Sequence, residues 1–136
     1  MNNIAKLYAN VLGAVLTLVG LLGFVSALTP TTSSAPHGAL LGIFAVDPIH
    51  NVIHLASGIV GLAAANAAGG AYAKMYALVF GIVYALVTVV GFIQGSTVLG
   101  LISVNLADNF LHTAIAAASL AVGLGAPKPN SSVARA

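Results

Sequence analysis

Four long apolar stretches divide the chain, and short polar or glycine-rich segments separate them. The stretches cover residues 4–28, 48–67, 72–95 and 106–125. Each has about the 20 residues that a membrane-spanning helix needs. Between the first two lies TPTTSSAPHG, a loop by its proline, serine and threonine content, and AAGGAY predicts a tight turn between the second and third. The pattern predicts four transmembrane helices in a single membrane domain covering residues 1–136.

The two halves of the chain resemble each other. AKLYANVLGAVLTLVGLLGFV aligns with AKMYALVFGIVYALVTVVGFI, and GIFAVDPIHNVIHLA aligns with GLISVNLADNFLHTA. These matches predict two helical hairpins, 4–67 and 72–125. Because each hairpin holds two spans, both are expected to enter the membrane in the same orientation, as parallel repeats about an axis along the membrane normal. The predicted fold is all-α, a polytopic four-helix transmembrane bundle.

Composition supports a membrane location. Hydrophobic residues make up 60% of the chain and charged residues 4%, whereas a soluble domain is about a quarter charged. A net charge of +2 on so few charged side chains is too sparse for a nucleic-acid surface. The chain has no cysteine, which excludes disulfides and thiolate metal ligands.

The cations predict the orientation in the membrane. They lie beside the N-terminus, the middle turn and the C-terminus: Lys6, Lys74, Lys128 and Arg135. The other two loops contain no lysine or arginine, so the positive-inside rule places both termini in the cytoplasm. Residues 126–136 are predicted to form an exposed tail. The inserted loop has no counterpart in the second half, so it is expected to be exposed and dispensable for folding, with His37 in solvent.

The second and fourth helices each begin with a polar stripe. At about 100° per residue, the members of each stripe fall within one arc of the helix. The stripes are Asp47, His50, Asn51 and His54, and Asn105, Asp108, Asn109 and His112. Asp47 and Asn105 are predicted helix caps, and Asp108 suits the third helical position of a capping box.

The depth of the histidines predicts that the stripes face inward. His54 and His112 lie about 10 Å below their caps, where an imidazole facing lipid would be costly. Both stripes should therefore turn toward protein or a wet cavity, so that His54 and His112 approach each other or share a ligand or water. Asn51 and Asn109 are expected to flank them. His50 and Asp108 are expected one turn nearer the outside, where they could pair.

Several of these motifs resemble one family. LVGLLGFV, LLGIFAVDPIHNVIHLASGIVGLAAA and DNFLH are similar to a widespread family of small bacterial four-span membrane proteins, a domain of unknown function with NxxH motifs. The resemblance covers nearly the whole chain. It implies the four-span fold, the bacterial cytoplasmic membrane and four signature positions, but no activity. These positions are Asn51, His54, Asn109 and His112.

The favoured interpretation of the stripes is structural. Asparagine and histidine side chains that hydrogen-bond across helices contribute about 0.6 to 2 kcal/mol each in membranes. The protein is then a small structural or accessory protein, a subunit or stabiliser in a larger membrane assembly, without cofactor. Its expected partners are the lipid bilayer and other membrane subunits.

Two alternatives remain open. In the first, the protein binds a cofactor: His50, His54, Asp108 and His112 ligate a metal, or His54 and His112 hold a haem or a chlorophyll-type pigment beside Asn51 and Asn109. In the second, it is a small transporter or proton relay. The apolar segments SGIVGLAAA and AIAAASLAVGL interrupt any complete polar pathway.

Enzymatic activity is not expected. The sequence has no Gly-x-Ser-x-Gly, no phosphate-binding loop and no carboxylate pair. The helix glycines, including those of SGIVG, are predicted packing residues. Tyr8 and Tyr76, near the predicted cytoplasmic ends, are predicted interface anchors.

Reporter fusions test the predicted orientation. A reporter active only in the cytoplasm should be active at Ala136 and inactive within the loop 31–34, because the cations hold both termini inside. A C-terminal fusion that is active only in the periplasm would contradict this prediction.

Overall fold

The computed structural model describes residues 3–125, which form four α-helices and two short antiparallel β-hairpins. The helices are α1 (Asn3–Leu22), α2 (Pro48–Asn66), α3 (Ala73–Gln94) and α4 (Leu106–Gly125). The strands are β1 (Ala39–Leu40) and β2 (Phe44–Ala45), which pair, and β3 (Thr97–Val98) and β4 (Ile102–Ser103), which pair. The predicted tail, 126–136, with Lys128 and Arg135, lies outside the described residues.

Each of the four helices is long and apolar enough to cross a membrane. Their outward faces carry large apolar side chains, such as Leu7, Val11 and Leu18 on α1, which are more than half exposed. The predicted all-α, four-helix transmembrane fold is confirmed, and the protein is a multi-pass membrane protein. The first span was predicted to continue to residue 28, but α1 ends at Leu22. Gly23 follows, and a 3₁₀ turn at Ser26–Leu28 continues the chain.

The helices pack in two pairs, α1 with α2 and α3 with α4, and smaller contacts join the pairs. Glycines bring the backbones of each pair together. A Cβ at Gly20 of α1 would lie 2.6 Å from the Leu55 nitrogen of α2, and a Cβ at Gly123 of α4 would lie 2.7 Å from the Leu78 Cα of α3. Such close approach gives the van der Waals contact that holds helices together in lipid. The predicted packing role of the glycines is confirmed.

Two tyrosines join the helix pairs. The Tyr76 hydroxyl of α3 donates to the Ser57 carbonyl of α2 at 3.1 Å, and the Tyr8 hydroxyl of α1 shares a hydrogen bond with the Ser119 hydroxyl of α4. Tyr76 is only 4% exposed. The structure thus shows a contact between helix pairs that the sequence did not predict, while the predicted place of both tyrosines at the membrane interface stays a prediction, because it concerns their depth in the membrane.

The inserted loop is partly exposed and partly structural. Exposed side chains on it are Ser33, Ser34, Pro36 and His37, as predicted. Ala35, in contrast, is 1% exposed and packs with Ala39 and Ala45 of the first β-hairpin. Thr32 and Ala35 exchange backbone hydrogen bonds of 3.1 and 3.2 Å. The prediction of a fully exposed loop is wrong at Ala35, because this segment covers the β-hairpin.

The two β-hairpins have the same turn. Leu41 and Leu99 both have a φ of 55°, and the glycines that follow, Gly42 and Gly100, have φ values of 73° and 68°. Left-handed conformations at two successive residues reverse the chain tightly between short strands. Each β-hairpin is thereby placed directly before the start of α2 or α4. We call this end of the molecule the β-hairpin end.

A glycine substitution tests the packing of α1 on α2. Gly20→Ala should lower the free energy of unfolding by about 1–3 kcal/mol, because its Cβ would meet the backbone of Leu55 and Asn51 within 2.9 Å. Gly125→Ala is the control, since a Cβ there meets none of the described residues within 4 Å. Reversible unfolding in detergent measures both. Equal stability of the two variants would contradict backbone contact at Gly20.

Candidate functional site

The start of α2 is capped by an aspartate that also reaches the other helix pair. One oxygen of Asp47 accepts from the His50 backbone N–H at 2.8 Å, and its other oxygen accepts from the Ser103 N–H of β4 at 2.5 Å. The predicted cap is confirmed. The bond to Ser103 is a cross-link between the halves of the molecule that the sequence did not reveal.

The start of α4 has a reciprocal capping box. The Asn105 side-chain oxygen accepts from the Asp108 N–H at 3.0 Å, and an Asp108 oxygen accepts from the Asn105 N–H at 2.9 Å. The same Asp108 oxygen accepts from the Ala45 N–H of β2 at 2.8 Å, and the Asn105 amide donates to the Ile43 carbonyl. Each acid therefore caps one helix and holds a strand of the opposite β-hairpin, which fixes the starts of α2 and α4 side by side.

The Asp47 side chain has a lowered pKa. Partial burial opposes its charge, but N–H donors from His50 and Ser103 stabilise the carboxylate and hold its pKa below the ordinary value of 3.8. Its contribution to stability is therefore complete above pH 3.8 and is lost as the pH falls through the lower pKa of the folded state.

Three histidines meet below these caps. The ring centroids of His50 and His54 are 4.3 Å apart, those of His50 and His112 are 5.8 Å apart, and those of His54 and His112 are 6.4 Å apart. All three side chains are buried, and one ring nitrogen from each lies within 4.8 Å of the others. The predicted approach of His54 and His112 is confirmed. We call His50, His54 and His112 the histidine cluster.

Asp108 does not belong to the histidine cluster. Its carboxylate accepts from the backbone N–H groups of Ala45 and Asn105, whereas the sequence allowed a pair with His50. Backbone N–H groups at the start of a helix have no partner within the helix and attract a carboxylate. Asp108 accepts from the N–H group of Asn105 there, and from that of Ala45. The grouping of Asp108 with the histidines is therefore not what the structure shows.

The two signature asparagines lie within their own helix pairs. The Asn51 carboxamide packs on Gly23 and the Asn109 carboxamide on Gly91, where an added Cβ would overlap the side-chain oxygen. Both residues are 2% exposed. Each carboxamide fills the space that the glycine leaves, and the expectation that both asparagines flank the histidines stays a prediction. The matched glycines in the aligned halves were the signal for this contact.

The histidine cluster borders a small cavity. Its volume is about 50 Å³, and all three imidazoles line it together with apolar side chains such as Phe80 and Val83. Within residues 3–125, the Nδ1 atoms of the three histidines have no hydrogen-bond partner. Buried polar atoms are normally paired, so three unpaired nitrogens around one cavity indicate room for a ligand.

Tyr84 is a member of this site that sequence reasoning missed. Its side chain is 7% exposed, its ring lies 5.4 Å from that of His112, and it lines the same cavity. The alignment of the two halves contained a signal, because Tyr84 stands where the first half has Leu16. A tyrosine that replaces an aliphatic residue in a buried span needs a polar environment for its hydroxyl.

Four membrane-spanning helices around a buried histidine cluster define a small polytopic membrane protein. The chain belongs to the DUF4383 family, a domain of unknown function, whose model matches residues 6–125. The resemblance seen in the sequence is thereby confirmed. No curated protein and no solved structure matches the chain.

Replacement of each aspartate by asparagine should lower the free energy of unfolding by a different amount. Asp47→Asn should lower the free energy of unfolding by about 1–2 kcal/mol at pH 7, because a carboxamide has one acceptor oxygen for two donors. It should also remove the loss of stability below pH 3.8 that the low pKa of Asp47 causes. Asp108→Asn should cost less, since Asp108 accepts both bonds on one oxygen. Unfolding titrations at pH 3 to 7 measure this, and an Asp47→Asn variant as stable as the parent at pH 7 would refute the cross-link.

Proposed function

We propose that this protein is a small accessory membrane protein that binds one transition-metal ion through the histidine cluster. The observation that carries the proposal is the convergence of three buried ring nitrogens, from His50, His54 and His112, within 4.8 Å of one another. Two of the ligands are one helical turn apart on α2, and the third comes from α4. A metal bound there would also tie the two helix pairs together.

The spacing suits a metal after a small adjustment. Metal–nitrogen bonds of about 2.0–2.1 Å in a tetrahedral site put the ligand nitrogens about 3.4 Å apart. The imidazoles therefore need to move by about 1 Å, which rotation about the side-chain bonds allows. Binding would also satisfy nitrogens that have no partner among the described residues.

The ligand set selects the kind of metal. It consists of imidazoles alone, since the chain has no cysteine and both acids bind backbone N–H groups. Imidazole favours zinc, copper, nickel or iron over calcium and magnesium, which prefer oxygen. Three protein ligands leave a fourth position for water or another ligand. A cavity of about 50 Å³ accommodates an ion with a water and favours it over a haem or chlorophyll-type pigment.

Binding suits this bundle better than translocation. At the end opposite the β-hairpins, the buried core includes small apolar side chains such as Ala5, Ala65 and Ala73. Within residues 3–125, no carboxylate or histidine lies between the histidine cluster and that end, and the hydroxyls of Tyr76 and Tyr8 there are hydrogen-bonded inside the bundle. A transporter or proton relay needs such a path across the membrane.

We also propose that the protein lies in the bacterial cytoplasmic membrane with both termini inside. The histidine cluster would then exchange ions with the outside. The cations beside the middle turn support this orientation. We further propose that it serves a larger membrane assembly as an accessory subunit, because its chemistry is confined to one small buried site.

Metal titration tests the proposed function. Purified protein in detergent should bind one Co²⁺ or Zn²⁺ per chain, with visible Co²⁺ absorption typical of a tetrahedral site. His54→Leu and His112→Leu should abolish this binding. His37→Leu, which removes the exposed histidine of the loop, is the matched control and should bind as the parent does.

Stability measurements separate the metal site from a purely structural cluster. Zn²⁺ at a free concentration of about 100 times its Kd should stabilise the parent by about 2.7 kcal/mol, and should leave both leucine variants unchanged. Stoichiometric binding that persists in the leucine variants, or a parent that binds no metal, would refute the proposal. In the second case the histidines act as interhelical polar packing.

A further inference from the structure

A long groove runs along the outside of the bundle between α1 and α4. It has a volume of about 290 Å³, and its walls extend from Tyr8 to Val19 on α1 and from Leu111 to Ala118 on α4. At 1.5 Å per residue, the α1 wall is about 16 Å long, roughly half the thickness of the hydrocarbon core. Val11 and Val15 on this wall are about half exposed, so the groove is open sideways to lipid.

The β-hairpin end of the groove is polar. His54 and His112 line it there, both are more than nine-tenths buried, and their Nδ1 atoms have no partner among the residues that the structure describes. At the opposite end, the Tyr8 hydroxyl is engaged with Ser119. Of the polar side chains that line this groove, the two imidazoles are therefore the ones with an unpaired hydrogen-bonding atom, Nδ1.

The side chains that line the groove favour a ligand with an uncharged head group. Among residues 3–125, no lysine, arginine or acid lines it, and the histidines lie about 10 Å below the helix caps. A phosphate head group at that depth would be an unpaired charge in a low-dielectric environment, which is costly. A carbonyl or hydroxyl head group, in contrast, can exchange hydrogen bonds with neutral imidazole.

The comparable groove between α2 and α3 lacks these features. It has a volume of about 330 Å³ and is lined by apolar side chains such as Val60 and Val79, together with Tyr72 and Tyr76. The Tyr76 hydroxyl already donates to the Ser57 carbonyl. The histidine cluster does not line this groove, so any lipid chain could occupy it without a specific head-group contact.

We infer that the groove between α1 and α4 binds one long-chain amphiphile with an uncharged, carbonyl-bearing head group, the class of molecule to which isoprenoid quinones belong. The hydrocarbon tail lies along the apolar walls, and the head group hydrogen-bonds to His54 and His112. The inference shares His54 and His112 with the proposed metal site, but it goes beyond the proposed function, because the head group needs one ring nitrogen of each imidazole and does not need the metal.

Binding of a decyl-substituted benzoquinone to the full-length, metal-free protein in phosphatidylcholine nanodiscs tests the inference. Val15→Trp places an indole in the groove and should weaken binding by about tenfold or more. Val79→Trp is the matched control, because Val79 lines the other groove and is exposed to nearly the same degree, 48% against 49% for Val15. Decane and phosphatidylglycerol serve as competitors.

We expect saturable binding of one quinone per chain that neither competitor displaces and that Val79→Trp leaves unchanged. Equal affinity in the parent and Val15→Trp, displacement by decane or phosphatidylglycerol, or the absence of saturable binding would overturn the inference. Val15→Trp should still bind Co²⁺ as the parent does, since Val15 is not a member of the histidine cluster. If the parent protein binds metal but not quinone, this inference fails and the proposed function stands. If it binds quinone but not metal, the proposed function fails and this inference stands.

Discussion

The hydrocarbon core of the bilayer offers no hydrogen-bond partner to the protein, and this absence explains how the four helices are arranged. A polar group within a span gains no hydrogen bond from lipid tails and is therefore stable only when it faces the bundle, whereas apolar side chains are as stable in lipid as in a core. The chain meets this requirement at the starts of α2 and α4. Asp47 and Asp108 cap these helices and also hold the N–H groups of Ser103 and Ala45 from the opposite β-hairpins. The two helix starts are therefore fixed next to each other.

This arrangement determines where the histidines lie. Once the starts of α2 and α4 are adjacent, the polar face of each helix turns toward the other, and His54 comes within reach of His112. Glycine contacts such as Gly20 against Leu55 complete each helix pair, and Tyr8 and Tyr76 join the pairs at the other end. The cluster therefore lies where the two halves meet and where the packing leaves a cavity.

The metal site and the lipid-facing groove proposed for this protein share two side chains. His54 and His112 line both the small central cavity and the groove between α1 and α4. If both proposals hold, a metal ion and a ligand in the groove would contact the same two imidazoles, and each would then affect the binding of the other.

From the sequence alone it was possible to predict the four spans, the caps at Asp47 and Asn105, and the positions of His54 and His112 two helical turns beyond these caps, because length, hydropathy and helix periodicity are local properties. Periodicity gives the side of a helix on which a residue lies, but not which neighbour that side faces. Burial of apolar side chains does not fix this rotation in a bilayer, because lipid tails are as apolar as the core. It took the folded structure to show that Asp108 binds backbone N–H groups and leaves the three histidines together, that Asn51 and Asn109 pack on glycines, and that Tyr84 lines the site. These outcomes depend on contacts between residues far apart in the chain, where several polar groups compete for the same donors.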